Sequence, residues 1–146
     1  MASAQWSAGV LVIELAGEFD LAERDRLTSA FEGARISPVV VVDLERTTYI
    51  DSTALGCLVA LRKATQQRGA SLFLIGLHSD VLRLFEVTGL RGIFDIRASL
   101  SEVPDADAAQ GRRLTIEAHP PSYHLRDRRN DRRARTYGSV GDGTAQ

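Results

Sequence analysis

Apolar and polar positions follow two rhythms along the first two thirds of the chain, and the switches between them mark out the elements. Val10-Leu-Val-Ile-Glu-Leu15 is β-branched and apolar, a strand pattern, and the Ser7-Ala-Gly9 turn before it predicts an opening hairpin with a short strand around Ala4 to Trp6. Gly17 breaks this run. Asp20 followed by Glu23 has capping-box spacing, in which each side chain satisfies an otherwise orphaned amide at a helix start. Leu27, Ala30, Phe31 and Ala34 then recur at i, i+3, i+4, i+7, predicting an amphipathic helix over residues 21–35 that ends before Pro38.

Val39 to Val42 is apolar and β-branched without alternation, the pattern of a central strand covered on both faces. Glu45 to Tyr49 reads as a connection. A second helix follows from about Thr53 to Arg68, with Ala54, Cys57, Leu58, Leu61 and Ala64 on one face and Gly69 as its stop. Ser71 to Ile75 is the next buried strand and Gly76 to Ser79 a turn. Asp80 to Thr88 is a third helix with Val81, Leu84 and Phe85 as its stripe, stopped by Gly89. Ile93 to Ile96 fits a last short strand. The order β-β-α-β-α-β-α-β implies a single α/β domain: a mixed, mostly parallel sheet with an opening hairpin, right-handed crossovers and covering helices.

Composition divides the chain once more. Residues 1–103 carry 10 basic and 13 acidic side chains, a net of −3, whereas residues 104–146 carry 8 arginines and 6 acids, a net of +2. The second stretch is poor in aliphatic residues, and Arg126 to Arg135 interleaves arginines with Asp127 and Asp131. We therefore expect a folded domain over 1–103 and a polar, Arg-rich, mostly flexible extension over 104–146, in which Arg113 to Ala118 could add an edge strand or helix turn. The charge asymmetry is too small to predict direct nucleic-acid binding by the folded part. Apolar residues at 44% and charged residues at 25% of 146 are ordinary globular proportions. A single cysteine excludes an intrachain disulfide. With neither a signal-peptide pattern nor an apolar run of bilayer length, a cytoplasmic protein without membrane association is the simplest expectation.

Enzyme chemistry finds little footing. A serine or cysteine nucleophile needs a base within hydrogen-bond reach, and the histidines are His78, His119 and His124, of which His78 reads as a surface turn residue. Cys57 lies on the apolar stripe of its helix, where a thiol behaves as a small hydrophobe. The His and Cys spacings do not suit a metal, and neither a Walker loop nor a dinucleotide fingerprint is present, so no cofactor is expected. Asp51-Ser52-Thr53 stands out instead. Any one of these can cap a helix, and three cap-forming residues in succession exceed what a cap requires.

Ile50-Asp-Ser-Thr-Ala-Leu-Gly56 resembles the Asp-Ser-Ser/Thr-Gly-Leu-Gly signature of STAS domains, specifically the bacterial anti-sigma factor antagonists. Gly17-Glu-Phe-Asp20 resembles that family's Gly-x-Leu/Phe-Asp element, Val40 to Leu44 its Val-Val-Leu-Asp-Leu strand, and Leu82 to Leu90 with Phe94 its closing region, so that the match runs over about residues 8–97. The resemblance implies a non-enzymatic regulator of transcription, of the kind used in stress responses, working by partner switching. Its partner would be an anti-sigma factor that is itself a serine kinase, bound when Ser52 is unmodified and released when Ser52 is phosphorylated. A phosphatase acting on phospho-Ser52 would reverse the step. Asp51 and Asp20 would set the electrostatics, with Thr53, Leu55 and Gly56 as interface neighbours. Ala54 departs from the family's common glycine. The alternative is a STAS adaptor subunit of a transporter or stress-signalling complex without phosphorylation.

Overall fold

The computed structural model describes residues 9–34, 37–104 and 113–118. Its strands are β1 (Val10–Phe19), β2 (Val39–Asp43), β3 (Thr47–Ile50), β4 (Ser71–Ile75), β5 (Asp95–Arg97) and β6 (Arg113–Glu117). Its helices are α1 (Arg24–Gly33), α2 (Ser52–Gln67) and α3 (Ser79–Val87), with 3-10 turns at Leu21–Glu23, Arg91–Ile93 and Leu100–Glu102. The strands form one sheet in the order β3-β1-β2-β4-β5, with β6 also on β1, and among the described residues every pairing is parallel. The predicted hairpin strand at residues 4–6 lies outside the described residues. Along β1, the edge from Val12 to Ala16 is held by β6.

Alternation along the strands separates two apolar layers. Ile13, Leu15, Val40, Val42, Leu72 and Leu74 face a core built with Leu27 and Phe31 of α1, Leu55, Leu58 and Leu61 of α2, and Val81 and Phe85 of α3. Val10, Val12, Val41, Phe73 and Ile75 face the other side, where Leu100 and Val103 cover them. The expectation that Val39–Val42 is buried on both faces is met, with helices on one face and the turn at 100–103 on the other. Phe85 and Phe94 meet edge to face at 5.4 Å between ring centroids, closing the helical side.

Two sequence expectations are corrected in detail, and one alternative is decided. The stretch read as a connection through Tyr49 contains β3, because Thr47 to Ile50 are β-branched or aromatic and extend readily along the end of β1. The buried face of α2 runs through Ala54, Leu55, Leu58, Leu61 and Thr65, whereas Ala64 is exposed and Cys57 half-buried. Of the edge strand or helix turn expected over Arg113 to Ala118, the strand is what forms: β6, whose Ile116 is 6% exposed and belongs to the helical-side core.

The helix stops follow the expected chemistry. At the end of α2, Gly69 takes φ +74°, and the amides of Gly69 and Ala70 bond back to the carbonyls of Gln66 and Thr65 at 3.2 and 2.8 Å. The same pattern closes α3, where the Leu90 amide reaches the Phe85 carbonyl at 2.9 Å.

Candidate functional site

The site is assembled where β1 and β3 end together. A register shift between Gly17 and Glu18 marks a bulge in β1, and Gly17 adopts φ +108°, a conformation that side-chain-bearing residues rarely take. Pairing with β6 ends at Ala16 and pairing with β3 begins at Gly17, opposite Thr47; past the shift Glu18 pairs Tyr49 and Phe19 pairs Ile50. Each strand then hands its chain to a helical turn through an aspartate. Asp20 caps the Leu21–Glu23 turn, its Oδ1 accepting from the Ala22 amide at 3.0 Å. Asp51 caps α2, its Oδ1 accepting from the Ala54 amide at 3.0 Å. The Asp51 amide donates to the Phe19 carbonyl at 3.1 Å, which fastens the start of α2 to the end of β1.

Asp51 is thus the cap, and Ser52 is the first helical residue, exposed and spared the capping role. Asp20 and Asp51 line one hollow of about 670 Å³ together with Glu18, Leu21, Ala22, Thr48 and Tyr49. Thr53 and Gly56 line another, a groove of about 440 Å³ between α1 and α2 that also takes in Thr28, Phe31, Cys57 and Ala60. Ser52 lies in sequence between the residues that line the two hollows and lines neither. Gly56 is exposed, with open space where a Cβ would stand.

Most of the residues singled out in the sequence therefore meet at one end of the sheet. Leu55 departs from expectation: it is 5% exposed and packed in the core, because its position on α2 points it at the sheet. It anchors the helix start and offers no contact surface. Tyr49 and Leu21, 50% and 63% exposed, were not picked out from the sequence; each sits beside a capping aspartate, but exposure of this kind has no periodic signal. Glu23 is 1% exposed and takes a hydrogen bond from Arg26 at 2.9 Å.

A catalytic reading gains nothing from the geometry. His78 is exposed at the start of α3, with Nε2 against the Glu45 carbonyl oxygen. Among the described residues no three His, Cys, Asp or Glu side chains converge as a metal site, and no helix is long and apolar enough to cross a membrane.

Residues 2–103 match the model of the STAS domain, and the chain belongs to that family. Among its relatives is the anti-sigma-B factor antagonist of Listeria monocytogenes, 38% identical over 87 residues that make up 58% of this chain and 76% of the relative. Among the solved structures that share the fold are the following two. A sulfate transporter family protein from Wolinella succinogenes is 21% identical with a TM-score of 0.57, over 68% of this chain and 85% of that one. The Bacillus cell fate determinant SpoIIAA in its phosphorylated form is 15% identical with a TM-score of 0.50, over 83% and 93%.

Proposed function

We propose that this protein is an anti-sigma factor antagonist whose partner is an anti-sigma factor serine kinase, bound when Ser52 is unmodified and released when Ser52 is phosphorylated. The observation that carries the reading is the division of labour at the start of α2: Asp51 caps the helix and leaves the Ser52 hydroxyl exposed. The names of the relatives, anti-sigma-B factor antagonists, support an anti-sigma factor as the partner. Transcription is regulated by the exchange of partners, in the manner of a stress response, and a phosphatase acting on phospho-Ser52 resets it.

The chemistry of such a switch follows from its surroundings. A phosphoryl group adds about −1.5 to −2 charges and strong acceptor oxygens at one point. The helix start accommodates negative charge, so the fold tolerates the modification. The Asp20 and Asp51 carboxylates line the adjoining hollow, and the added charge deepens a field that is already negative. A partner complementary to a neutral hydroxyl is then repelled without any unfolding of the domain. Thr53 and Gly56 flank the hydroxyl as contact positions, and Gly56 lets a partner backbone come close. The proposed module is residues 1–103.

Incubation with ATP and anti-sigma kinases of the same organism, followed by mass spectrometry, tests the reading. Phosphate on Ser52 and loss of kinase binding by phospho-protein are expected. Phosphate confined to other residues would overturn it.

A further inference from the structure

β6 belongs to none of the argument so far. It lies beyond the residues that match the family model, yet it is built into the sheet, with Arg113 paired to the nearly buried Asp43 carboxylate at 3.2 Å and Ile116 in the core. Among the described residues it pairs with β1 alone, so its other side is an open edge. Along a strand, alternate residues turn their amide and carbonyl toward a given neighbour. The register with β1, and the bond from the Ala118 amide to the Ala16 carbonyl at 2.9 Å, assign Leu114, Ile116 and Ala118 to the side facing β1. The amides and carbonyls of Arg113, Thr115 and Glu117 therefore point away from the sheet, which is the template an added strand needs.

We propose that this edge pairs with β6 of a second copy of the chain, antiparallel about a two-fold axis at Thr115, so that two sheets join into one. Charge complementarity argues for this occupant, because Arg113-Leu-Thr-Ile-Glu117 is complementary to its own reverse. Pairing centred on Thr115 sets Thr115 against Thr115, Leu114 against Ile116 and Arg113 against Glu117, the self-matching that a two-fold contact requires. The outward amides and carbonyls of the two strands then meet one another. Other registers fit less well. A slip by one residue turns outward groups onto inward ones. A slip by two sets Arg113 or Glu117 against Thr115, and a slip by four sets Arg113 against Arg113 or Glu117 against Glu117. The edge is also accessible: the Arg113 and Glu117 side chains are 45% and 69% exposed, and Leu114, 41% exposed, gains an aliphatic neighbour. The Glu117 carbonyl already accepts from Arg26 at 2.5 Å, and its second lone pair serves the incoming amide. Two five-residue strands make a contact smaller than a standard stable interface, so the dimer forms reversibly.

Sedimentation equilibrium of the full chain from micromolar to millimolar concentration tests the pairing, and the expected mass rises from monomer toward dimer. Thr115→Pro removes an outward amide at the axis and no bond to β1, so it should weaken the dimer by about tenfold or more. Hydrogen-exchange protection of the Leu114, Ile116 and Ala118 amides in that variant shows that β6 is still in place. Glu117→Arg sets like charges opposite at both ends and should weaken the dimer by about threefold or more, which keeps the test decisive if proline detaches the strand. In a mixture of isotope-labelled and unlabelled chains, an NOE between Leu114 Hα of one copy and Ile116 Hα of the other is expected, since antiparallel pairs that are not hydrogen-bonded approach most closely. A monomer at every concentration would overturn the proposal, including one whose outward Thr115 and Glu117 amides are protected because another segment of the same chain covers the edge. So would a dimer that lacks this NOE or keeps its affinity in Glu117→Arg. The sample contains no kinase, and the pairing does not rest on the reading of Ser52.

Discussion

Asp51 and Ser52 stand side by side with separate duties. The Asp51 carboxylate satisfies the Ala54 amide, so Asp51→Ala should destabilise the protein by about 0.5–2 kcal/mol in urea unfolding, the usual cost of a lost cap. Ser52 is exposed, so Ser52→Ala should change stability by no more than about 0.5 kcal/mol while removing the proposed phosphorylation site. A Ser52→Ala variant as unstable as Asp51→Ala would mean that the hydroxyl is structural. Gly17 is a third residue with a definite duty, since its φ of +108° makes the bulge and a Cβ there would lie 3.1 Å from the Ala118 Cβ. Gly17→Ala should cost about 1–3 kcal/mol, the range for residues held in sparsely populated backbone conformations, and should loosen β6 in hydrogen exchange before β4.

Among the elements, α2 and β6 show what the sequence could and could not reveal. Leu58 of α2 is 1% exposed at the centre of the helical-side core, so Leu58→Ala should cost about 2–5 kcal/mol in urea unfolding. That helix was legible because sixteen residues repeat a 3.6-residue period, although the buried face turned one position from the predicted stripe, toward Leu55 and Thr65. β2 was legible because its valines are buried on both sides. β3 was not, since its four residues run buried, exposed, exposed, buried and match neither period. β6 was left open between strand and turn for a similar reason, with Ile116 as the one buried residue of its five. Ile116→Ala should therefore destabilise by about 2 kcal/mol or more and expose the β1 amides between Val12 and Ala16 to exchange. Wild-type protection of those amides in the variant would show that β6 contributes nothing to the edge.

At the scale of the whole molecule, one end of a parallel sheet gathers carboxylates, an exposed hydroxyl and exposed Leu21 and Tyr49 around two hollows. Asp20 and Asp51 were legible as caps, and Ser52 as a candidate, because cap chemistry and the family motif coincide there. The cleft around them was not, because it is formed by β3 joining the end of β1, a contact between segments about thirty residues apart. The account predicts that added charge at position 52 acts through the surface and leaves the core unchanged. The most direct measurement is the affinity of phospho-Ser52 protein for the proposed anti-sigma kinase, compared with unmodified protein and with Ser52→Ala. The account predicts that unmodified and Ser52→Ala proteins bind alike and that the phospho-protein binds at least tenfold more weakly, a difference of about 1.4 kcal/mol, with an unchanged unfolding midpoint. Equal binding by all three, or a phospho-protein that loses binding only because it unfolds, would contradict it.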